Sequence, residues 1–118
     1  MSYRDTPLDF RSLGKVGSML GSAGLVVLND TVDLRHAVRW QQVFFEDESC
    51  GQCAPCRIGC RMQRRAIDTF LASDDPAALE HVDDVHWEME EGSICGLGMV
   101  ASKPLQMAMK HWPELFGG

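Results

Sequence analysis

The sequence predicts a small all-α fold: a four-helix bundle behind a glycine-rich N-terminal lead-in that carries one short strand. Three observations predict it. Apolar residues recur at helical spacing in four separate stretches. Residues that start or cap helices stand before those stretches: Asn29-Asp30, Pro55, Asp74-Asp75-Pro76 and Ser102 with Pro104. The connections are short, which favours antiparallel neighbours.

The elements follow in order. Residues 1–24 hold few periodic apolar positions, and Gly14, Gly17, Gly21 and Gly24 punctuate them. Leu25-Val26-Val27-Leu28 is a short apolar run with two β-branched members and predicts a strand ending at Asn29-Asp30. A first helix is expected from Val32 to about Glu46, with Leu34, Ala37, Val38, Phe44 and Phe45 near helical spacing. A second is expected from about Arg57 to Leu71, with Ile58, Met62, Ala66, Ile67, Phe70 and Leu71 on its apolar face. Pro55 sits where a first turn tolerates proline, because the missing N–H has no intrahelical partner there. The third helix covers Ala77 to about Glu90, with Leu79, Val82, Val85 and Met89 inward. Cys95-Gly96-Leu97-Gly98 reads as a tight loop. The fourth helix begins after Ser102, with Leu105, Ala108, Met109 and Trp112 available to the core. The organisation is thus a lead-in, residues 1–29, and a helical domain, residues 30–118.

At 118 residues and 45% hydrophobic, the chain has material for one modest core. A net charge of −6 and a pI near 5.0 argue against nucleic acid as a partner, since phosphate binding needs a basic surface. No apolar run approaches the ~20 residues of a membrane helix. Met1 to Phe10 is polar, without the apolar stretch of a signal peptide. These features predict a cytoplasmic protein without membrane insertion, at most peripheral to a membrane complex.

Four of the five cysteines lie between Cys50 and Cys60, and the fifth is Cys95. An odd count without secretory features reads as metal ligation before disulfides. Cys50, Cys53 and Cys56 stand at consecutive two-residue spacings, so three thiolates can wrap one cluster, and Gly51 lets the chain turn closely. That spacing predicts a [4Fe–4S] cluster, which takes four cysteines. Two residues compete for the fourth place. Cys60 completes the C-x2-C-x2-C-x3-C ferredoxin spacing, but Arg61 follows it where that pattern has proline, and there is no second cysteine set. Cys95 lies in a glycine-containing loop able to close over a cluster, and it is favoured; Cys60 then reads as a small core residue. Zinc is the main inorganic rival, yet structural zinc sites pair two knuckles, where here three cysteines share one. A thioredoxin-like C-x-x-C site would need a βαβ context that is not present.

Glu48-Ser49-Cys50-Gly51-Gln52-Cys53-Ala54-Pro55-Cys56-Arg57-Ile58-Gly59 resembles the ESCGxCxPCRxG signature of the flavoprotein (F, diaphorase) subunit of NADH:quinone oxidoreductase and of related NAD-linked hydrogenases and formate dehydrogenases. Ser93-Ile94-Cys95-Gly96-Leu97-Gly98 resembles the second motif of that family, and Leu8-Asp9-Phe10 with the Gly17–Gly24 stretch resembles the segment leading into its cluster domain. The likeness covers nearly the whole chain in order and spacing. It implies a four-helix domain holding one [4Fe–4S] cluster through Cys50, Cys53, Cys56 and Cys95. It implies electron flow from NADH through a flavin to this cluster and on to a neighbouring iron–sulfur subunit. The implied partners are a flavin-bearing NADH-oxidising subunit and a ferredoxin-like or thioredoxin-fold iron–sulfur subunit. Two departures stand out. The family carries an N-terminal FMN- and NADH-binding domain for which this chain has no room, and its glycines do not form the G-x-G-x-x-G fingerprint. The chain is therefore expected not to oxidise NADH alone, and to be either a small separate subunit or a fragment. The other departure is Cys60, where the family usually has no cysteine.

The remaining features have plainer readings. Arg57, Arg61, Arg64 and Arg65 make the second helix basic, either as a solvated face or as charge that favours a reduced cluster. His36, His81, His86 and His111 are scattered without metal spacing. Trp40, Trp87 and Trp112 read as packing residues, and the acidic run Asp83 to Glu91 as a solvated helix face or a docking surface for a basic partner. The leading function is an electron-transfer module. The alternative is a structural zinc- or cluster-binding assembly module, and a weaker third is a thiol sensor using Cys60.

Overall fold

A computed structural model describes residues 4–118; Met1 to Tyr3, the start of the predicted lead-in, lie outside the described residues. The chain divides between Thr31 and Val32 into two compact units. The N-terminal unit holds one short helix, α1 (Phe10–Lys15), whose Asp9 cap accepts the Ser12 N–H at 2.7 Å. Gly17 and Gly21 both take positive φ, as does Ala23.

The predicted strand does not form. Leu25, Val26 and Val27 lie outside regular structure and are 76–84% exposed. A strand needs a partner for its backbone N–H and C=O groups, and none pairs with this run among the described residues.

The second unit is all-α. Its long helices are α2 (Leu34–Glu48), α3 (Ala54–Ser73), α4 (Val82–Gly92) and, after the five-residue α5 (Gly96–Val100), α6 (Lys103–His111). α3 is central, with α2 and α4 packed on it, and α6 packs on α2 and α4. Asp33 caps α2 by accepting the Arg35 N–H at 2.9 Å. α3 begins three residues earlier than expected, because Cys53 is its cap and Pro55 occupies its first turn. The expected third helix is broken: Pro76–Leu79 is a single 3-10 turn capped by Asp75, and α4 starts only at Val82. Cys95 to Gly98 is less a loop than a helix start, with Cys95 at the cap of α5.

Two small cores result. Val38, Ile67, Phe70, Leu79, Val82, Leu105, Ala108 and Phe116 form the larger, with Phe70 stacked on Phe116 at 5.8 Å. Cys56, Cys60, Met89 and Ala101 form the smaller. Several residues expected inward are exposed: Phe44, Ile58, Met62 and Trp112, as are Trp40 and Trp87, whose expected role is packing. In their place the buried stripe of α3 runs through Cys56, Gly59, Cys60, Gln63, Ile67 and Phe70. Gln63 donates to Val82 O at 2.9 Å and Gln42 to Ala101 O at 3.2 Å, so buried amides link α3 to α4 and α2 to the end of α5.

Candidate functional site

The cysteine site lies where the α2–α3 connection, the first turn of α3 and the start of α5 come together. After α2, Gly51 turns the chain at φ 73°, a left-handed conformation that suits glycine. Arg57, one turn into α3, donates to Gly51 O at 2.6 Å and pins that turn. Arg57 thus holds the loop itself. Arg61 and Arg64 instead pair with Glu46 of α2, at 3.9 and 3.3 Å, and Arg64 and Arg39 both reach Asp68. Two arginines of the basic face of α3, Arg61 and Arg64, are therefore matched by carboxylates of α2 and of α3 itself.

A cavity of about 300 Å³ opens at this end, lined by Cys50, Cys53, Cys56 and Cys95 together with Glu48, Gly51, Gln52, Ile94 and Leu97. One water's share of liquid volume is about 30 Å³, so the space suits a group of several atoms. Cys50 and Cys95 are exposed at its mouth, Cys53 is half-buried and Cys56 is buried. Among the described residues, no three Cys, His, Asp or Glu side chains converge as a single metal ion requires. A zinc ion needs its thiolates at about 2.3 Å. The four histidines do not gather here: His36 is exposed in the first turn of α2, His81 pairs with Glu80, His86 is buried against Ser102, and His111 packs on Trp112.

Cys60 points elsewhere. It is 1% exposed, belongs to the smaller core and is not part of the cavity lining. Burial, with the neighbouring Cys56 thiol 3.9 Å away, pushes its pKa up to about 12. Buried in this way, the thiol is shielded from oxidants in solvent, which disfavours a redox-sensor role.

Cys53 and Cys56 have polar neighbours. The backbone N–H of Ile94, then that of Cys56, hold the pKa of Cys53 below the ordinary value. Ile94 and Cys53 line the same cavity, so the two motifs meet there. Ser49 Oγ lies 3.2 Å from Cys56 Sγ and accepts the Gly51 N–H at 3.3 Å, which leaves its own proton to donate to sulfur. At α5, a Cβ added to Gly98 would collide with Ser93 Oγ and lie 2.9 Å from Cys56 Cβ, so only glycine permits this approach. Ser49 and Ser93 stand out in the sequence only as neighbours of cysteines; a hydroxyl placed beside a candidate thiolate ligand is the signal that marks them.

Comparison with known proteins gives one consistent result. Residues 36–117 match the family described as the NADH-ubiquinone oxidoreductase-F iron-sulfur binding region. The F subunit of the NADH-quinone oxidoreductase of Rickettsia bellii (strain OSU 85-389) is 35% identical over 106 residues, 89% of this chain and 25% of that protein. The corresponding protein of Rickettsia akari (strain Hartford) is 35% identical over 112 residues, 94% and 26% respectively. The F 1 subunit of the NADH-quinone oxidoreductase of Rhizobium meliloti (strain 1021) is 32% identical over 114 residues, 95% and 26% respectively. The chain spans about a quarter of the length of these relatives. No helix among the described residues is long and apolar enough to cross a membrane. Since the family match runs from α2 to the C-terminal end and takes in every cysteine, the chain belongs to the NADH-ubiquinone oxidoreductase-F iron–sulfur binding region family, whose cofactor is a [4Fe–4S] cluster.

Proposed function

We propose that this chain is a one-electron relay in which Cys50, Cys53, Cys56 and Cys95 hold the [4Fe–4S] cluster. The observation that carries the reading is that four thiols from two separated motifs line one cavity of about 300 Å³ while the fifth, Cys60, is turned into the core. The residues fit the group in three ways. The donor set is four cysteines, as such clusters generally require. Gly98 leaves room where any side chain would collide. The buried Ser93 hydroxyl has no hydrogen-bond partner among the described residues.

When bound, the cluster supplies storage of one electron. The chain does the rest. The Ser49 hydroxyl lies 3.2 Å from the Cys56 sulfur, and the backbone N–H groups of Ile94 and Cys56 favour the charged form of Cys53; such donors stabilise negative charge on the ligands and help set the potential. Cys53, Cys56, Leu97 and the smaller core keep water from the inner side. Cys50 and Cys95 lie at the exposed rim, where a partner's cofactor can approach. The donor in this reading is a flavin-bearing, NADH-oxidising protein or domain, and the acceptor is a ferredoxin-like or thioredoxin-fold iron–sulfur subunit. NADH oxidation belongs to the flavin-bearing part, and the lead-in of residues 1–29 is the tail of that part.

The test is anaerobic iron and acid-labile sulfide analysis with EPR after dithionite reduction. The intact chain should carry about four iron and four sulfide. Cys95→Ser should lose them and Cys60→Ser should keep them. Retention in Cys95→Ser with loss in Cys60→Ser would reverse the ligand assignment. A colourless chain with stoichiometric zinc would replace the relay by a structural module.

A further inference from the structure

We propose that the groove between α3 and α4 of the helical unit is a docking site for an amphipathic helix of a partner protein, one that carries Lys or Arg beside its apolar stripe. The relay reading above gives this contact its purpose, while the docking itself stands on the groove alone.

Two cavities, of about 410 and 340 Å³, lie between these helices and share Met62, His81 and Val85 in their walls. Together they run from Ala54 to Thr69 of α3, about 22 Å at 1.5 Å per residue. The two walls differ. On α3, Ile58 and Met62 stand one turn apart and are 52% and 45% exposed. On α4, Asp84 and Glu88 stand one turn apart, and both are exposed. Glu88 has no cationic partner among the described residues, and Asp84 reaches only His81, at 3.9 Å. Apolar side chains scattered singly over a surface need no explanation. An apolar ridge that faces a row of unpaired carboxylates across one groove is the anatomy of an interaction site.

Shape and chemistry select the occupant. An extended peptide binds by adding to a sheet edge, and the described residues contain no strand. A polyproline segment needs aromatic walls, and no Phe, Tyr or Trp lines either cavity. A helix satisfies its own backbone and offers an apolar stripe with charged residues beside it. About 22 Å accommodates four of its turns. With the stripe on Ile58 and Met62, the neighbouring positions face Asp84 and Glu88, and complementarity there requires Lys or Arg. Arg65 stands at the other end of the groove, so the positive residues belong to the half near Ala54. A second copy of this chain fits less well, since each copy carries a net charge of −6. Ala54 and Pro55, in the groove wall, fall between Cys53 and Cys56 in the chain, so a helix seated here abuts the four-thiol site.

The experiment uses the full chain and a fluorescein-labelled helical peptide of about four turns. Its Leu residues follow the i, i+3, i+4, i+7 pattern, and Lys flanks them at one half. A twin carries Glu in place of Lys, and a third peptide has the Leu pattern scrambled. Anisotropy should show the Lys peptide binding about tenfold more tightly than its Glu twin, with the gap closing as salt is raised. Amide shifts should map the site to residues 54–69 and 81–89. Ile58→Gln with Met62→Gln should weaken both peptides. Glu88→Lys should weaken the Lys peptide and strengthen the Glu twin, an inversion that misfolding cannot produce. The proposal is overturned by absence of binding, by equal affinity for the twins, by equal affinity for the scrambled peptide, or by indifference to the Ile58 and Met62 changes. Sedimentation that finds a parent dimer, dissolved by the Ile58 and Met62 changes, would overturn it in favour of a second copy. Iron is measured on the same samples. A chain without iron that still binds the peptide in the groove sinks the relay reading and leaves the docking site; an iron-loaded chain that ignores the peptide does the reverse.

Discussion

At the residue scale, small side chains decide how closely the elements around the site can meet. Gly59 lies inside α3, where replacing glycine by alanine ordinarily stabilises a helix by about 1 kcal/mol. Here an added Cβ would collide with both Cγ and Sδ of Met89. Met89 is wholly buried, so its side chain has no solvent to swing into. Overpacking of this kind costs about 1–3 kcal/mol and outweighs the propensity gain. Gly59→Ala is therefore expected to lower the urea midpoint, by a net cost of about 1 kcal/mol. In a Met89→Ala background the same change should be neutral or stabilising, because the space it needs is then free. A double-mutant cycle reads that coupling. Equal effects in both backgrounds would show that Met89 is not what Gly59 makes room for.

At the scale of elements, helical periodicity makes the four long helices legible, while the identity of their buried faces is less so. On α3 the largest apolar residues belong to two different faces. Ile67 and Phe70 are in the core, whereas Ile58 and Met62 line a groove between α3 and α4. The true stripe passes through Cys60 and Gln63, which composition alone does not mark as core. The sequence does set Cys60 apart from the other cysteines, because its spacing lacks the proline and the second cysteine set of a ferredoxin, and the structure places it in the smaller core. The Leu25–Leu28 run carries strand propensity, but propensity cannot supply the second strand. His86 is invisible in sequence as a contact between elements. It joins α4 to the α5–α6 junction, with Nδ1 2.7 Å from Ser102 Oγ and Nε2 3.4 Å from Glu90. Burial lowers its pKa from the ordinary 6.5; Glu90 and Asp83 oppose that shift and Lys103 adds to it. Above 6.5 the imidazole is neutral folded and unfolded, and it contributes no pH dependence. As pH falls through 6.5 the unfolded chain binds its proton first, so stability declines until the folded imidazole also titrates. Glu90 behaves in the opposite sense: Lys103, 2.6 Å away, holds its pKa below 4.5, so its contribution persists above that value and is lost only in stronger acid. The urea midpoint of the cluster-free chain should thus fall between about pH 7 and about pH 5. His86→Gln should flatten that decline; an unchanged slope would assign it to other groups.

At the scale of the whole helical unit, the two cores make unequal demands on the cofactor. The larger joins α2, α3, the 3-10 turn, α4 and α6, and contains no cysteine. Burying its aliphatic and aromatic side chains is worth about 1.5–3 kcal/mol each, before the opposing chain entropy. The smaller core has four fully buried residues, two of them cysteines, and its outer boundary is the cavity of the four thiols. Cluster binding there, as proposed, would draw together the α2–α3 turn and the start of α5, and binding energy that depends on this juxtaposition would appear as folding energy of those segments. The cluster should therefore govern order at one end of the bundle and leave the other end standing. Hydrogen exchange on loaded and cluster-free chains checks this. Removal of the cluster is expected to deprotect residues 50–57 and 93–100, while amides of α2 and α6 that flank Val38 and Leu105 keep most of their protection and the helical circular dichroism is largely retained. Uniform loss of protection would mean that the larger core cannot hold the bundle by itself, and that ligation is the step on which the whole fold depends.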